Sequence, residues 1–186
     1  MKALLKGIFQ AIFLIPALPL AAMAGFGRFE SGFQFWSQAC SLAPGLPGDY
    51  LRVAYYRLTL EECSRDSRIQ FLSFFSHSRA RLGRGVFIGG SCILGHARIG
   101  DRTQIASGVQ VLSGKRQHAR GDDGRLRGAD FTAFDTISIG ADCWIGAGAI
   151  IMADVGDGCT IGAGSVVTQP VAPRTVAAGT PARAIR

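Results

Sequence analysis

From Leu82 onward, an aliphatic residue recurs at nearly every sixth position of this 186-residue chain. We call these residues heads; nine of the twelve are followed directly by glycine or alanine. The steps between heads are six, six, five, six and six in a first block, and six, six, four, six and six in a second. Neither an α-helix nor a plain alternating strand has this period. The heads are Leu82, Ile88, Leu94, Ile99, Ile105 and Val111, and then Ile139, Ile145, Ile151, Val155, Ile161 and Val167.

A period of six predicts an all-β solenoid of triangular cross-section. Each hexad would form one short strand and one corner, with its head pointing inward onto the heads of neighbouring coils. The small residue after the head would let the chain pass a tight corner. Three hexads make a coil of roughly 18 residues, and coils must stack because none buries its apolar face alone. Residues 82–116 and 139–172 would supply about two coils each, after a ragged first coil over residues 69–81.

The pattern resembles that of the hexapeptide-repeat acyltransferases, whose fold is a left-handed parallel β-helix. The left hand is implied by this resemblance and not by the period. Four segments are similar to the xenobiotic and polysaccharide O-acetyltransferase branch: residues 109–114 with Gln117 and His118, residues 142–151, residues 162–167, and the ending Gly179-Thr180-Pro181-Ala182-Arg183. The resemblance covers about residues 82–186.

This resemblance implies an acetyl-CoA-dependent enzyme without a metal, active as a homotrimer with sites between subunits. His118 would be the general base, since an imidazole suits proton abstraction from an alcohol at neutral pH. Backbone N–H groups of the glycine-rich corners could stabilise the oxyanion. The implied cofactor-binding residues are Trp144 at the thiol end, Gly146, Ala163 and Gly164 along the pantetheine arm, and Arg174 and Arg183 at the phosphates.

The repeat is interrupted by an insertion over residues 113–136, which is rich in glycine and charge. A loop of this length inside a compact domain is usually functional or disordered. It contains His118, flanked by Lys115, Arg116 and Arg120. The chain has a net charge of +7. Residues 77–127 contain ten basic and three acidic side chains, and this local excess of positive charge favours an anionic ligand nearby. Nucleic acid is not expected, because no nucleic-acid motif accompanies the charge.

The other two histidines receive different predictions. His77 is expected to be structural or to lie in an acceptor pocket. His96 follows Gly95 directly and is expected on an outer face. A zinc site like that of the γ-carbonic anhydrases is not expected, because the spacing of the three histidines lacks a close pair. The five cysteines lack any CxxC pair, so we expect reduced, apolar thiols in a cytosolic protein.

Residues 7–27 are apolar apart from Gln10, and Lys2 and Lys6 precede them. Three interpretations are open: a secretory signal cleaved after Ala22-Met23-Ala24, a retained anchor kinked at Pro16 and Pro19, or a buried helix of the domain. Acetyl-CoA is a cytosolic metabolite, so the resemblance favours a retained anchor in contact with membrane lipid at the cytoplasmic face of the bacterial inner membrane. We therefore divide the chain into a membrane-associated segment over 1–48, an amphipathic helix capped by Asp49 and a linker over 49–68, and the β-helix over 69–186.

The expected function is acetyl transfer from acetyl-CoA to a hydroxyl of a saccharide, such as a lipid-linked or polysaccharide precursor. One alternative is an acetyltransferase for a soluble antibiotic. Another is a non-catalytic, membrane-bound hexapeptide scaffold.

Overall fold

Three N-terminal helices cap one end of a β-solenoid of about 5 turns. The computed structural model describes residues 2–113, 122–128 and 134–185. Helix α1 spans Lys2–Met23 and runs through both prolines, α2 spans Glu30–Ser41 and α3 spans Gly45–Thr59; a 3₁₀ turn, Gly25–Gly27, joins α1 to α2.

The solenoid consists of strands of two to four residues. In chain order they are β1 Glu62–Cys63, β2 Arg68–Ile69, β3 Phe74–Phe75, β4 Arg81–Leu82, β5 Phe87–Ile88, β6 Ile93–Leu94, β7 Ala97–Ile99, β8 Gln104–Ile105, β9 Gln110–Val111, β10 Ile137–Ile139, β11 Trp144–Ile145, β12 Ile150–Ile151, β13 Thr160–Ile161, β14 Val166–Val167, β15 Val176–Gly179 and β16 Ala182–Ala184.

These strands form three sheets, which we call faces A, B and C. Face A has the order β1-β4-β7-β10, face B β16-β15-β13-β11-β8-β5-β2, and face C β14-β12-β9-β6-β3. All pairings are parallel except that between β15 and β16. The chain turns from face A to B at corner 1, from B to C at corner 2, and from C to A at corner 3. Corner 3 is therefore opposite face B.

The predicted core is confirmed. All twelve heads are buried, and none is more than 3% exposed. Heads stack in register from coil to coil, as Ile88 does on Ile105 and Ile105 on Ile145. The stacked parallel coils fit the expected left-handed β-helix.

The coils are less uniform than a period of six predicts. Ile69 pairs with Ile88, 19 positions later, Ile88 with Ile105 after 17, and Ile145 with Ile161 after 16. The coils differ in length because corner 3 varies. It carries the insertion in one coil and consists of only Met152–Asp154 in the next. The first strand starts at Glu62, so the solenoid begins earlier than the predicted residue 69.

The small residue after each head has a different role from the predicted one. Gly100 does not have a left-handed φ, so the corner itself does not require glycine there. Instead, a Cβ on Gly100 would lie 2.5 Å from the backbone nitrogen of Ala141 in the next coil. Close stacking of coils therefore selects the small residue.

We expect Gly100→Ala to lower the free energy of unfolding by about 1–3 kcal/mol, because the added methyl forces two backbones apart. Urea unfolding at fixed protein concentration measures this. Gly128→Ala is the control, because a Cβ there would meet nothing within 4 Å. Equal unfolding midpoints for the two variants would show that the coils accommodate the methyl group with no loss in the free energy of unfolding.

The cysteines are all free, as predicted. Three of them also fill a structural role at the corners, where the thiol contacts a carbonyl oxygen of the following coil. Cys143 Sγ lies 3.1 Å from Gly156 O and Cys159 Sγ 3.0 Å from Ala172 O. Burial raises the pKa of the Cys143 thiol, which keeps it protonated and able to donate.

The helical cap is joined to the solenoid through a buried arginine on α3. Arg52 is fully buried, and its guanidinium donates to the carbonyl of Ile69 at 2.8 Å and to that of Ala43 at 2.7 Å. Asp49 accepts from Arg52 and from Arg68, each at 2.7 Å. The predicted role of Asp49 as a helix cap is wrong, because α3 begins four residues earlier, at Gly45.

Helix α1 belongs to this cap. Ala17 and Ala21 are fully buried, and the rings of Phe9 and Phe13 stack on Tyr50 of α3. In the described part of the chain, no helix combines the length and the apolar character needed to cross a membrane. The retained, membrane-associated anchor stays a prediction.

Candidate functional site

Face B presents an exposed tryptophan. Trp144 lies on β11, between Gln104 of β8 and Thr160 of β13 in the parallel register. Because Ile145 points into the core, the preceding side chain must point outward. The indole of Trp144 is 61% exposed. A large aromatic side chain that is mostly exposed is a candidate ligand contact.

Corner 2 runs beside this tryptophan as a track of small residues. Gly108, Gly148 and Gly164 succeed one another there, each with a φ between 66° and 73°. Gly146 is buried against the next coil, where a Cβ would lie 2.4 Å from Ala163 N. Glycines at these positions allow a ligand to approach the backbone closely.

The two candidate arginines lie at the C-terminal end of face B. Arg183 is exposed on β16, paired with Ala178 of β15. Arg174 is exposed at corner 1, where its N–H donates to Asp157 O at 2.7 Å. Of the predicted cofactor residues, Trp144, Gly146, Ala163, Gly164 and Arg183 thus share face B and its corner-2 edge. Arg174 lies on the opposite edge of that face.

The insertion leaves and rejoins the solenoid at corner 3. Its two ends are held together, since Asp135 N donates to Ser113 O at 3.1 Å and Ile137 N to His96 O at 2.8 Å. His118, the predicted base, lies outside the described residues. Because corner 3 is opposite face B, the root of the insertion and Trp144 are on opposite sides of one chain.

A histidine pair that the sequence analysis did not recognise lies beneath this root. The rings of His77 and His96 meet edge to face, 4.5 Å between centroids, and Phe134 contacts both. His77 Nδ1 lies 2.5 Å from Glu30 Oε1 of α2. The prediction that His96 faces outward is wrong: it is buried, because the end of the insertion covers it. Periodicity alone could not show this.

Burial, and then the neighbouring His77, lower the pKa of His96 below its ordinary value of 6.5. The unfolded chain therefore binds a proton here at a higher pH than the folded protein does. We expect the free energy of unfolding to fall as the pH drops below about 6.5, and this contribution to be flat above about pH 7.5. Urea unfolding at about pH 7.5 and about pH 5.5 should show a smaller loss in His96→Gln than in the wild type. An equal loss in both proteins would contradict this assignment.

The basic stretch of the chain is in part internally paired at corner 1. Arg84 contacts Asp101 at 3.1 Å and Arg102 contacts Asp142 at 2.6 Å. The side-chain bond from Arg102 lowers the pKa of Asp142, and the backbone N–H of Arg84 lowers that of Asp101. These arginines are therefore engaged with carboxylates of neighbouring coils, and the predicted anionic ligand stays a prediction.

Two further surfaces border the site. A groove of about 610 Å³ runs along face A, lined by Arg81, Arg98, Ser138 and Asp154 among others, and includes the strand to which the insertion returns. Face C is apolar on its outer side, where Phe74, Ile93, Ile150 and Val166 lie in register with Gln110. Ile93 is 42% exposed.

Within the described ranges, no cluster of three or more His, Cys, Asp or Glu side chains could hold a metal.

Comparison with known proteins supports the fold. A family model described as the hexapeptide repeat of succinyl-transferase matches residues 136–169. Serine acetyltransferase 4 of Arabidopsis thaliana is 37% identical over 86 residues, 42% of this chain and 24% of that protein. The serine acetyltransferase of Escherichia coli strain K12 is 38% identical over 122 residues, 59% of this chain and 37% of that protein. The chain thus spans only about a quarter to a third of these curated relatives.

Solved structures cover more of the chain at lower identity. A hexapeptide-repeat-containing acetyltransferase from Vibrio cholerae has a TM-score of 0.68 and 23% identity, over 84% of this chain and 91% of that one. A galactoside acetyltransferase in complex with coenzyme A has a TM-score of 0.66 and 22% identity, over 86% and 82%. At such identities these likenesses establish the shared fold. With its repeat, its stacked coils and these matches, the chain is a hexapeptide-repeat protein that shares its fold with the hexapeptide-repeat acetyltransferases.

Proposed function

We propose that this protein transfers acetyl from acetyl-CoA to a hydroxyl of a saccharide. The observation that carries acetyl transfer is its identity of 37% over 86 residues to a serine acetyltransferase. An exposed Trp144 beside the track of small residues at corner 2 supports a site for a long, thin cofactor. The saccharide is supported by the sequence motifs that resemble the polysaccharide O-acetyltransferase branch.

The proposed reaction is a direct transfer without an acyl-enzyme. The acceptor oxygen attacks the thioester carbon of acetyl-CoA while His118 removes its proton. The tetrahedral oxyanion is stabilised by backbone N–H groups. When it collapses, the carbon–sulfur bond breaks and the coenzyme A thiolate takes up a proton. No metal takes part in this proposal.

The cofactor would lie along face B and corner 2. Trp144 would contact its thiol end, and the backbone at Gly146, Ala163 and Gly164 would line its pantetheine arm. Arg183, at the C-terminal end of face B, would meet the phosphates as a planar, permanently charged donor. Arg174 would meet them from corner 1 only if the cofactor crosses the face.

The proposed active unit is a homotrimer. The insertion starts at corner 3, away from its own Trp144, so a neighbouring protomer would bring the two together. The apolar outer side of face C supports such packing, since exposed apolar ladders of this kind usually mark an interface. Light scattering of the purified protein tests it, and a monomeric, active enzyme would contradict it.

The acceptor proposed here is a lipid-linked or polysaccharide precursor on the cytoplasmic side of the bacterial inner membrane, because acetyl-CoA is cytosolic. The curated relatives favour a second candidate, L-serine. Both acceptors present a hydroxyl to the same base, so the fold does not separate them. The acceptor panel must therefore contain both.

The test is thiol release from acetyl-CoA with lipid-linked glycans, free glycans, an aminoglycoside and L-serine as acceptors. We expect turnover with a glycan, and a KM for acetyl-CoA about 2- to 10-fold higher in Trp144→Ala, since aromatic packing contributes about 0.5–1.5 kcal/mol. Turnover with serine alone would replace the saccharide proposal. No turnover and no binding of acetyl-CoA would leave the non-catalytic scaffold.

A further inference from the structure

Helix α1 has two apolar sides, and the structure accounts for only one of them. The inner side packs on α3 through Ala17 and Ala21, and Gln10 Nε2 donates to Arg65 O of the first coil at 2.6 Å. This side explains why the helix docks on the solenoid. It does not explain the residues that face away from it.

The outer side carries a stripe of large aliphatic residues at helical spacing. Ile8, Ile12, Ile15 and Leu18 are between 48% and 74% exposed. Ala11, Pro19 and Ala22, which are also exposed, complete this side. A helix on the surface of a water-soluble domain normally presents polar residues there. A stripe like this is usually covered by lipid or by protein.

Exposed apolar side chains continue beyond the helix. Phe26 is 52% exposed, and Phe29 and Phe35 are each 63% exposed. Arg28, between the first two, is exposed as well. Aromatic and basic residues beside an apolar stripe suit the headgroup zone of a membrane.

Charge favours lipid over a second copy of the chain. Residues 1–29 contain Lys2, Lys6 and Arg28 and no Asp or Glu. Two copies packed through this segment would bring like charges together. An anionic lipid surface attracts each basic residue by about 1 kcal/mol.

The prolines favour a helix that lies in the interface. Pro16 and Pro19 have no N–H, so the carbonyls of Ile12 and Ile15 lose their helical donors. Water and headgroups can satisfy these carbonyls at the membrane surface, whereas the hydrocarbon interior cannot.

We propose that α1 is a docking helix for an anionic lipid surface, with Ile8, Ile12, Ile15 and Leu18 inserted at the boundary between headgroups and acyl chains. Such helices bind through their apolar area and through attraction of basic residues to anionic lipid. The inference stands apart from acetyl transfer and can be tested without it.

The test is co-sedimentation of the full-length protein with vesicles of phosphatidylcholine, with or without roughly 30% phosphatidylglycerol. We expect binding to the anionic vesicles, and at least about tenfold weaker partitioning of an Ile12→Glu, Ile15→Glu double variant. A Lys2→Gln, Lys6→Gln variant should bind less and lose most of the salt dependence.

The matched control is a Leu126→Glu, Ile185→Glu variant, which makes the same charge change at side chains 65% and 68% exposed elsewhere. It should bind as the wild type does. Unfolding midpoints of all variants show that they are folded. Wild-type protein that stays in the supernatant would overturn the proposal. So would a double variant that binds normally. A double variant that instead dissociates the lipid-free assembly would also overturn the proposal, because it would assign the stripe to a contact between copies of the chain.

Discussion

Replacement of His118 by alanine is expected to lower kcat for acetyl transfer by about 10²- to 10⁴-fold, the usual contribution of a positioned general base. The physical reason is that an alcohol is a poor nucleophile until its proton is removed as it attacks. KM for acetyl-CoA should change little, because the proposed cofactor contacts are on face B. Steady-state thiol release at saturating acceptor measures the effect.

The control is Arg125→Gln, in a described, exposed part of the same insertion. It should retain wild-type kcat. The wild-type rate should also decline below the pKa of the base, whereas the residual rate of His118→Ala should not show that decline. Unchanged turnover in His118→Ala would remove the base from the mechanism and, with it, the role proposed for the insertion.

The largest effect on stability is expected from Arg52→Met, which should lower the free energy of unfolding by about 3–5 kcal/mol. The methionine fills the space but leaves the buried Asp49 with Arg68 as its remaining ion-pair partner, and several carbonyl groups without a donor. Four backbone carbonyls accept from this one guanidinium, those of Cys40, Ser41, Ala43 and Ile69. Since burial of unpaired polar groups is costly, the cap should separate from the first coil.

Urea unfolding at fixed protein concentration measures this loss. Arg57→Met on the same helix is the matched control: Arg57 is exposed, so its replacement should change stability by less than about 0.5 kcal/mol. Arg52→Lys should recover only part of the loss, because one ammonium cannot replace a planar five-donor group. A loss in Arg52→Met as small as in Arg57→Met would show that the cap is held by apolar packing alone.

The parts of the fold that repeat were predictable from the sequence. The inward positions of heads such as Ile105 and Ile145 follow from the period, because every coil imposes the same requirement on the same position. The candidate cofactor residues were inferred from motifs that resemble a known family, and their role stays a prediction. The residues at corner 3 were not, because the spacing breaks there.

The sequence by itself therefore determined the solenoid and its core, since a head every six residues leaves few other ways to bury aliphatic side chains. The tertiary structure decided the features that the spacing of residues along the sequence does not specify. It buried His96 against His77 at the root of the insertion, joined Arg52 to carbonyls from two separate segments, and divided α1 into an inner side and an outer side. Each of these features depends on contacts between segments that are distant in sequence, and a local sequence pattern does not specify such contacts.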